Sequence, residues 1–132
     1  MDTNSNVELI KKLYASFSKG DIEAIIAALH EDVVWEEPQH AEIPYGGSRR
    51  GKAAVRDFFK GVGQVEVSSF EPQEYVASGD RVLVIGRWSG QVTSTGKSFK
   101  SEWIMSWIVK EGKVKYFRAY EDSAAVAAAF RK

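Results

Sequence analysis

Apolar residues recur along the first third of the chain at three- and four-residue steps. Val7, Ile10, Leu13, Tyr14 and Phe17 follow that spacing and predict a helix over 5–19 with one apolar stripe. Ser5, with Glu8 three residues on, reads as a capping box, and Gly20 as the residue that ends the helix. Asp21 then caps a short second helix with Ile22, Ile25, Ile26 and Leu29 turned inward. His30 falls in its last turn, where a cation suits the helix dipole. After this the period changes from helical to alternating. Val33, Trp35 and Glu37 share one face of an extended strand, Val34 and Glu36 share the other, and Pro38 stops it.

Residues 39–50, with Pro44, Gly46 and Gly47, read as a long loop, a kind of segment that often covers a site. A third helix is predicted over 52–60, with Val55, Phe58 and Phe59 inward and Gly61 and Gly63 breaking it. Four strands follow, over 65–77, 81–93, 98–109 and 113–120, the first irregular at Pro72. Ser78-Gly79-Asp80, Thr95-Gly96 and Glu111-Gly112 turn the chain between them. Asp122 caps a short alanine-rich tail helix. Helices first and hairpins later make an α+β domain, 1–132, with helices packed on one face of an antiparallel sheet.

The third long strand has apolar residues on both sides. Trp103, Met105, Trp107 and Val109 share one face; Ile104 and Ile108 lie on the other with Glu102 and Ser106. A covered outer face follows, most simply covered by a second copy, so a homodimer is expected.

Charge and composition then narrow the function. Eighteen basic residues balance eighteen acidic ones, so no basic excess exists to neutralise phosphates, and nucleic acid is not expected as a partner. Cysteine is absent, which removes disulfides, thiolate chemistry and Cys-ligated zinc and fits a cytoplasmic protein. No signal peptide and no membrane-spanning run is read, so no membrane partner is expected. Gly46-Gly47-Ser48-Arg49-Arg50-Gly51-Lys52 nearly spells a phosphate-binding loop, but Ala53 stands where a Ser or Thr should hold magnesium. Arg49, Arg50 and Lys52 read as a solvated loop-to-helix junction. The two histidines lack the spacing of a zinc site, so neither metal nor cofactor is expected.

Candidate chemistry centres on Glu37. If the face it shares with Trp35 is the buried one, its charged form is disfavoured, and such a carboxyl works as a base near neutral pH. The competing reading is a solvated carboxylate at a strand end. Four Trp, seven Phe and five Tyr can fill a core or line a cavity for an apolar ligand. His40 and Tyr45, in the loop, are candidate hydrogen-bonding groups.

Several segments match a known family together. They are Lys19-Gly20-Asp21-Ile22-Glu23-Ala24-Ile25, Glu31-Asp32-Val33-Val34-Trp35-Glu36-Glu37-Pro38, Tyr45-Gly46-Gly47 with Arg50-Gly51, and Gly79-Asp80-Arg81-Val82. Thr95-Gly96-Lys97, Glu111-Gly112-Lys113-Val114 and Phe117-Arg118-Ala119-Tyr120 complete the set. The chain resembles the SnoaL-like and ketosteroid isomerase-related branch of the nuclear transport factor 2-like superfamily over nearly its whole length. That resemblance implies a cone-shaped, cystatin-like fold: a strongly bent sheet wrapped around N-terminal helices, enclosing a pocket, and dimerising through its outer face.

The resemblance also puts Glu37, before Pro38, at the place of the isomerases' general base. It puts Leu13 and Met105 where those enzymes carry a Tyr and a protonated Asp that stabilise an enolate. It puts Gly86-Arg87-Trp88 and Ala119 where epoxide-hydrolase members carry their charged triad, so that triad is unmatched. Two readings result. In one, Glu37 moves a proton next to a carbonyl of a small apolar substrate. Phe17, Trp35, Trp88, Trp103, Met105, Trp107 and Phe117 then form the walls, and Tyr14, Tyr45 or His40 hydrogen-bonds the ligand. In the other, the same cone is a non-catalytic binding or scaffold module.

Overall fold

The structure, a computed structural model, describes residues 3–132. Ten elements follow one another: α1 (Thr3–Ser18), α2 (Ile22–Ala27), β1 (Leu29–Glu37), β2 (Gly47–Arg50), α3 (Lys52–Val62), β3 (Val65–Ser78), β4 (Arg81–Val92), β5 (Ser98–Lys110), β6 (Lys113–Glu121) and α4 (Ser123–Phe130). The six strands form one curled, unclosed sheet in the order β2-β1-β6-β5-β4-β3. The helices pack against its inner face, as the α+β pattern predicts.

Four of the five strand contacts are antiparallel, and the fifth, β1 with β6, is parallel. That pairing joins the two halves of the chain: Val34, Trp35 and Glu36 lie beside Tyr116, Phe117 and Arg118. Trp35 and Phe117, opposite one another, stack with ring centroids 3.9 Å apart. Two register shifts bend β3, between Val67 and Ser69 and between Pro72 and Glu74, and they curve the sheet over the helices. Pro72 is tolerated because β3 is an edge strand.

Several boundaries differ from the sequence reading, and four of the differences change what a segment does. The first helix already includes Thr3, so Ser5 lies inside it and is not its cap. The second helix stops at Ala27, and Leu29 and His30 belong to β1 rather than to a helical turn. The reason is long-range: the Val114 N–H donates to the Ala28 carbonyl, which draws the chain into the sheet early. Residues 47–50, read as loop, form β2 against β1. Arg49, opposite Trp35, is therefore half-buried rather than a solvated junction residue, and it gives one hydrogen bond to the Ala54 carbonyl at 3.4 Å.

The third helix passes through Gly61 to Val62 instead of stopping at Lys60. A Cβ at Gly61 would lie 2.9 Å from the Tyr45 Cβ, so the helix carries a glycine there to let the 38–46 segment settle on it.

The large inward residues form one cluster, with Ile10, Leu29, Val33, Val82, Val109 and Val114 among its fully buried members. On the outer face Ile104 and Tyr120 are cross-strand neighbours and remain 42% and 49% exposed. Among the described residues no helix is long and apolar enough to cross a membrane.

Gly86 shows how tightly the inner face is fitted. It sits opposite Trp103, and a Cβ there would come within 2.5 Å of both the Trp103 ring and the Glu71 carbonyl. Gly86→Ala is expected to displace the indole and cost about 1–3 kcal/mol, the usual range for overpacking. Chemical denaturation checks the cost; a variant as stable as the parent contradicts it.

Candidate active site

A cavity of about 80 Å³ opens between α1, α3, the 38–46 segment and the inner face of the sheet. The alternation of each strand brings its walls together. Trp35 comes from β1, Trp88 from β4, Trp103, Met105 and Trp107 from β5, and Phe117 from β6. Tyr14 and Phe17 arrive from the stripe of α1, and Tyr45 from the loop. All nine of these sequence-predicted lining residues, and Glu37, face the cavity.

His40 does not line it. Its Nδ1 accepts a hydrogen bond from the Glu42 N–H at 3.2 Å, so a local turn uses the ring that the sequence reading offered to a ligand.

The Glu37 side chain is half-buried and lines the cavity. Burial raises its pKa well above the ordinary carboxyl range, and the nearby Glu121 raises it further. The Trp35 indole N–H and the Arg49 charge pull the other way. Neither completes a partnership: Trp35 Nε1 and Arg49 Nε both lack a partner at hydrogen-bond geometry. By contrast Glu36, on the opposite side of β1, accepts a 2.6 Å hydrogen bond from the Tyr116 hydroxyl.

Leu13, Ile25, Phe58, Phe59, Val62, Phe70 and Ala119 add further apolar wall, and Glu121 is the ionisable lining residue that the sequence reading missed. It ends β6, lines the cavity, and accepts a 3.0 Å hydrogen bond on Oε1 from the Trp88 indole. Burial raises its pKa, the Trp88 hydrogen bond opposes this, and Asp122 adds to it. The signal was present: Phe117, Ala119 and Glu121 alternate with exposed Arg118 and Tyr120, so a strand extended by one residue turns Glu121 inward.

Tyr14 forms a small chain of hydrogen bonds. The Trp107 indole donates to its hydroxyl at 3.0 Å, and that hydroxyl donates to the Met105 sulfur at 3.2 Å. A thioether is a weak acceptor, so a ligand oxygen can take this proton in its place. The resemblance had put Leu13 at the helix position of a hydroxyl donor. Leu13 does line the cavity, yet Tyr14, one residue on, brings a hydroxyl there as well. Burial raises the pKa of Tyr14 and of Tyr45, which keeps both phenols neutral. Among the described residues the Tyr45 hydroxyl and the indole N–H groups of Trp35 and Trp103 have no partner.

No basic side chain among the described residues lines the cavity. Among the described residues no group of three or more His, Asp or Glu is placed to hold a metal ion. The arrangement presents aromatic faces, hydrogen-bond donors and two carboxyls to one small cavity.

The model of the SnoaL-like domain matches residues 10–117. The chain belongs to the SnoaL-like family. Its backbone superposes on that of an NTF2-like protein from Burkholderia xenovorans LB400 with a TM-score of 0.89 at 36% identity, covering 99% of each chain. TerC, co-crystallised with polyporic acid, superposes with a TM-score of 0.84 at 28% identity, over 97% of this chain and 99% of TerC. The uncharacterised protein YesE of Bacillus subtilis (strain 168) is 28% identical over 128 residues, 93% of this chain and 85% of YesE.

In this SnoaL-like protein the two buried carboxyls tie stability to pH. In the unfolded chain a Glu ionises near its ordinary value of about 4.3. In the folded chain Glu37 keeps its proton to higher pH. Its contribution is therefore complete below the unfolded pKa and is lost as pH rises through the folded one. Glu37→Gln is expected to gain stability relative to the parent between about pH 4.5 and pH 8, by more than about 1 kcal/mol. Urea denaturation at both pH values reads this; a difference that does not change with pH contradicts the burial of an ionisable Glu37.

Proposed function

We propose that this protein binds a small, largely apolar ring compound carrying a carbonyl group and moves a proton on it, as an isomerase or cyclase does, with Glu37 in the proton path. The observation that carries the reading is the position of Glu37: a carboxyl enclosed in an aromatic cavity, with no cation at hydrogen-bond distance. Such a group exchanges its proton near the working pH and has little water to compete for it.

Substrate rings would lie against Trp35, Trp103 and Phe117. Oxygens on the ring would accept from Tyr14, Tyr45 or the unpartnered indoles. Three hydrogen-bond donors without partners on residues 2% exposed, Trp35, Tyr45 and Trp103, support a ligand with acceptor atoms. That TerC, of the same fold, was co-crystallised with polyporic acid supports a small-molecule role for this fold.

Size bears on the ligand too. An engineered cavity of roughly twice this volume takes a benzene ring. A ring-sized ligand therefore enters as half-buried Phe17, Phe59 and Phe70 move aside.

The alternative, a module that binds without turnover, is favoured by Met105, which stands where the isomerases place a protonated acid. Glu37→Gln separates the two. A carbonyl substrate found by quenching of the indole fluorescence is expected to bind the variant within a few-fold of the parent. Turnover is expected to fall by about 10²- to 10⁴-fold, the usual worth of one acid–base group. Turnover that survives the substitution removes Glu37 from the path.

A second copy is the proposed partner of the outer sheet face. Ile104 and Tyr120, neighbours on that face, are its exposed centre, with half-buried Ile85 and Ile108 beside them. Sedimentation velocity is expected to give a dimer for the parent and a monomer for Ile104→Glu. A monomeric parent at micromolar concentration removes the dimer.

A further inference from the structure

Two carboxyls look into one aromatic cavity, and the proton path described above uses only one. They arrive on adjacent strands. Glu36 pairs with Arg118 in the parallel register of β1 and β6, so Glu37 lies level with Ala119, and Glu121 is the next inward side chain along β6. Both line the cavity.

Their surroundings differ. Glu121 accepts the Trp88 indole N–H on Oε1 at 3.0 Å, a hydrogen bond that favours its charged form, and this bond leaves Oε2 unused. Glu37 has no equivalent donor: Trp35 Nε1 is close but unpartnered. The charged and titratable groups around the pair do not reverse the difference. Arg49's charge favours an ionised Glu37 but is the smallest influence on it, Asp122's charge opposes ionisation of Glu121 less than the Trp88 hydrogen bond favours it, and Tyr14 and Tyr45 are phenols held neutral by burial. Two like charges in one low-dielectric cavity do not both form readily, so the pair ionises in two steps. The first proton leaves Glu121 and the second stays on Glu37.

We infer that Glu121 is a second catalytic residue, the base that takes a proton from the carbon next to the substrate's carbonyl, while Glu37 gives its own proton to the carbonyl oxygen. The inference rests on the reading of the cavity as a site for a cyclic carbonyl compound, and it divides the labour there. The C–H bond breaks toward Glu121, its electron pair becomes the C=C bond of an enol, and the carbonyl π pair takes the Glu37 proton as O–H. In a conjugated enol, Glu121 returns its proton to the far carbon and Glu37 recovers its own from the hydroxyl. The double bond has then moved, both carboxyls are as they began, and no oxidant or reductant is used.

Two measurements test this. The first needs no substrate. In protein labelled with ¹³C at glutamate carboxyls, the signals of Glu37 and Glu121 are identified by their loss in Glu37→Gln and Glu121→Gln and followed against pH. Glu121 is expected to titrate at lower pH than Glu37, and Trp88→Phe is expected to raise the Glu121 midpoint; the reverse order overturns the assignment.

The second follows deuterium uptake from D₂O at the α-carbon of 2-tetralone. The parent is expected to show a bell-shaped pH profile. Glu121→Gln should lower the rate by about a hundredfold or more and abolish the rising limb, Trp88→Phe should move that limb to higher pH, and Glu37→Gln should abolish the falling limb. If Glu121→Gln exchanges like the parent while Glu37→Gln does not, Glu121 is no base and Glu37 alone carries the reading above. Exchange no faster than buffer in the parent, or parental exchange in both variants, removes that reading and this inference with it.

Discussion

The structure depends on the contact between Trp35 and Phe117. Their rings stack at 3.9 Å across the one parallel strand pair, and that pair joins the front of the chain to its end. Stacked aromatics add about 0.5–1.5 kcal/mol beyond the area they bury, and here the contact also sets register. With Trp35 beside Phe117, Glu37 is carried level with Ala119 and within reach of the cavity that Glu121 enters. A slip of one residue would turn Trp35 and Glu37 to the outer face together. The stack therefore holds both the core and the chemistry in place.

Much of this was legible in the residues. The helical stripe of α1 and the alternation of β1 and β5 are short-range patterns, and Tyr14, Phe17, Trp35, Trp103 and Trp107, which they group, line the cavity together. For Glu37 the same alternation left two readings open, an inward carboxyl or a solvated one at a strand end, and in the structure it lines the cavity. What escaped was set by partners distant in sequence. Leu29 and His30 are strand because Val114 bonds back to Ala28, and 47–50 is strand because β1 offers it an edge. Gly47, Ser48, Arg49 and Arg50 carry no strand signal of their own. Glu121 escaped for a smaller reason, a strand taken to end one residue early.

Partners also decided the fate of the loop. The sequence offered His40 and Tyr45 as equals. The structure buries Tyr45 against Phe58 and Phe130, while His40 caps its own turn near a two-bond ion pair between Glu42 and Arg131. The ring with apolar area was drawn in. The ring with a lone pair satisfied a backbone N–H at the surface.

The bare strand at Gly86 has a consequence for how such a molecule diversifies. Because β4 carries no side chain there, the Trp103 indole lies directly over its backbone and forms that part of the cavity wall. Trimming that indole would enlarge the bore without asking any backbone atom to move, and a descendant could accept bulkier guests through a single codon while its scaffold stayed unaltered. Sensitivity to size thus lies at a different place from reactivity, which sits with the acids on β1 and β6, and the two can drift independently.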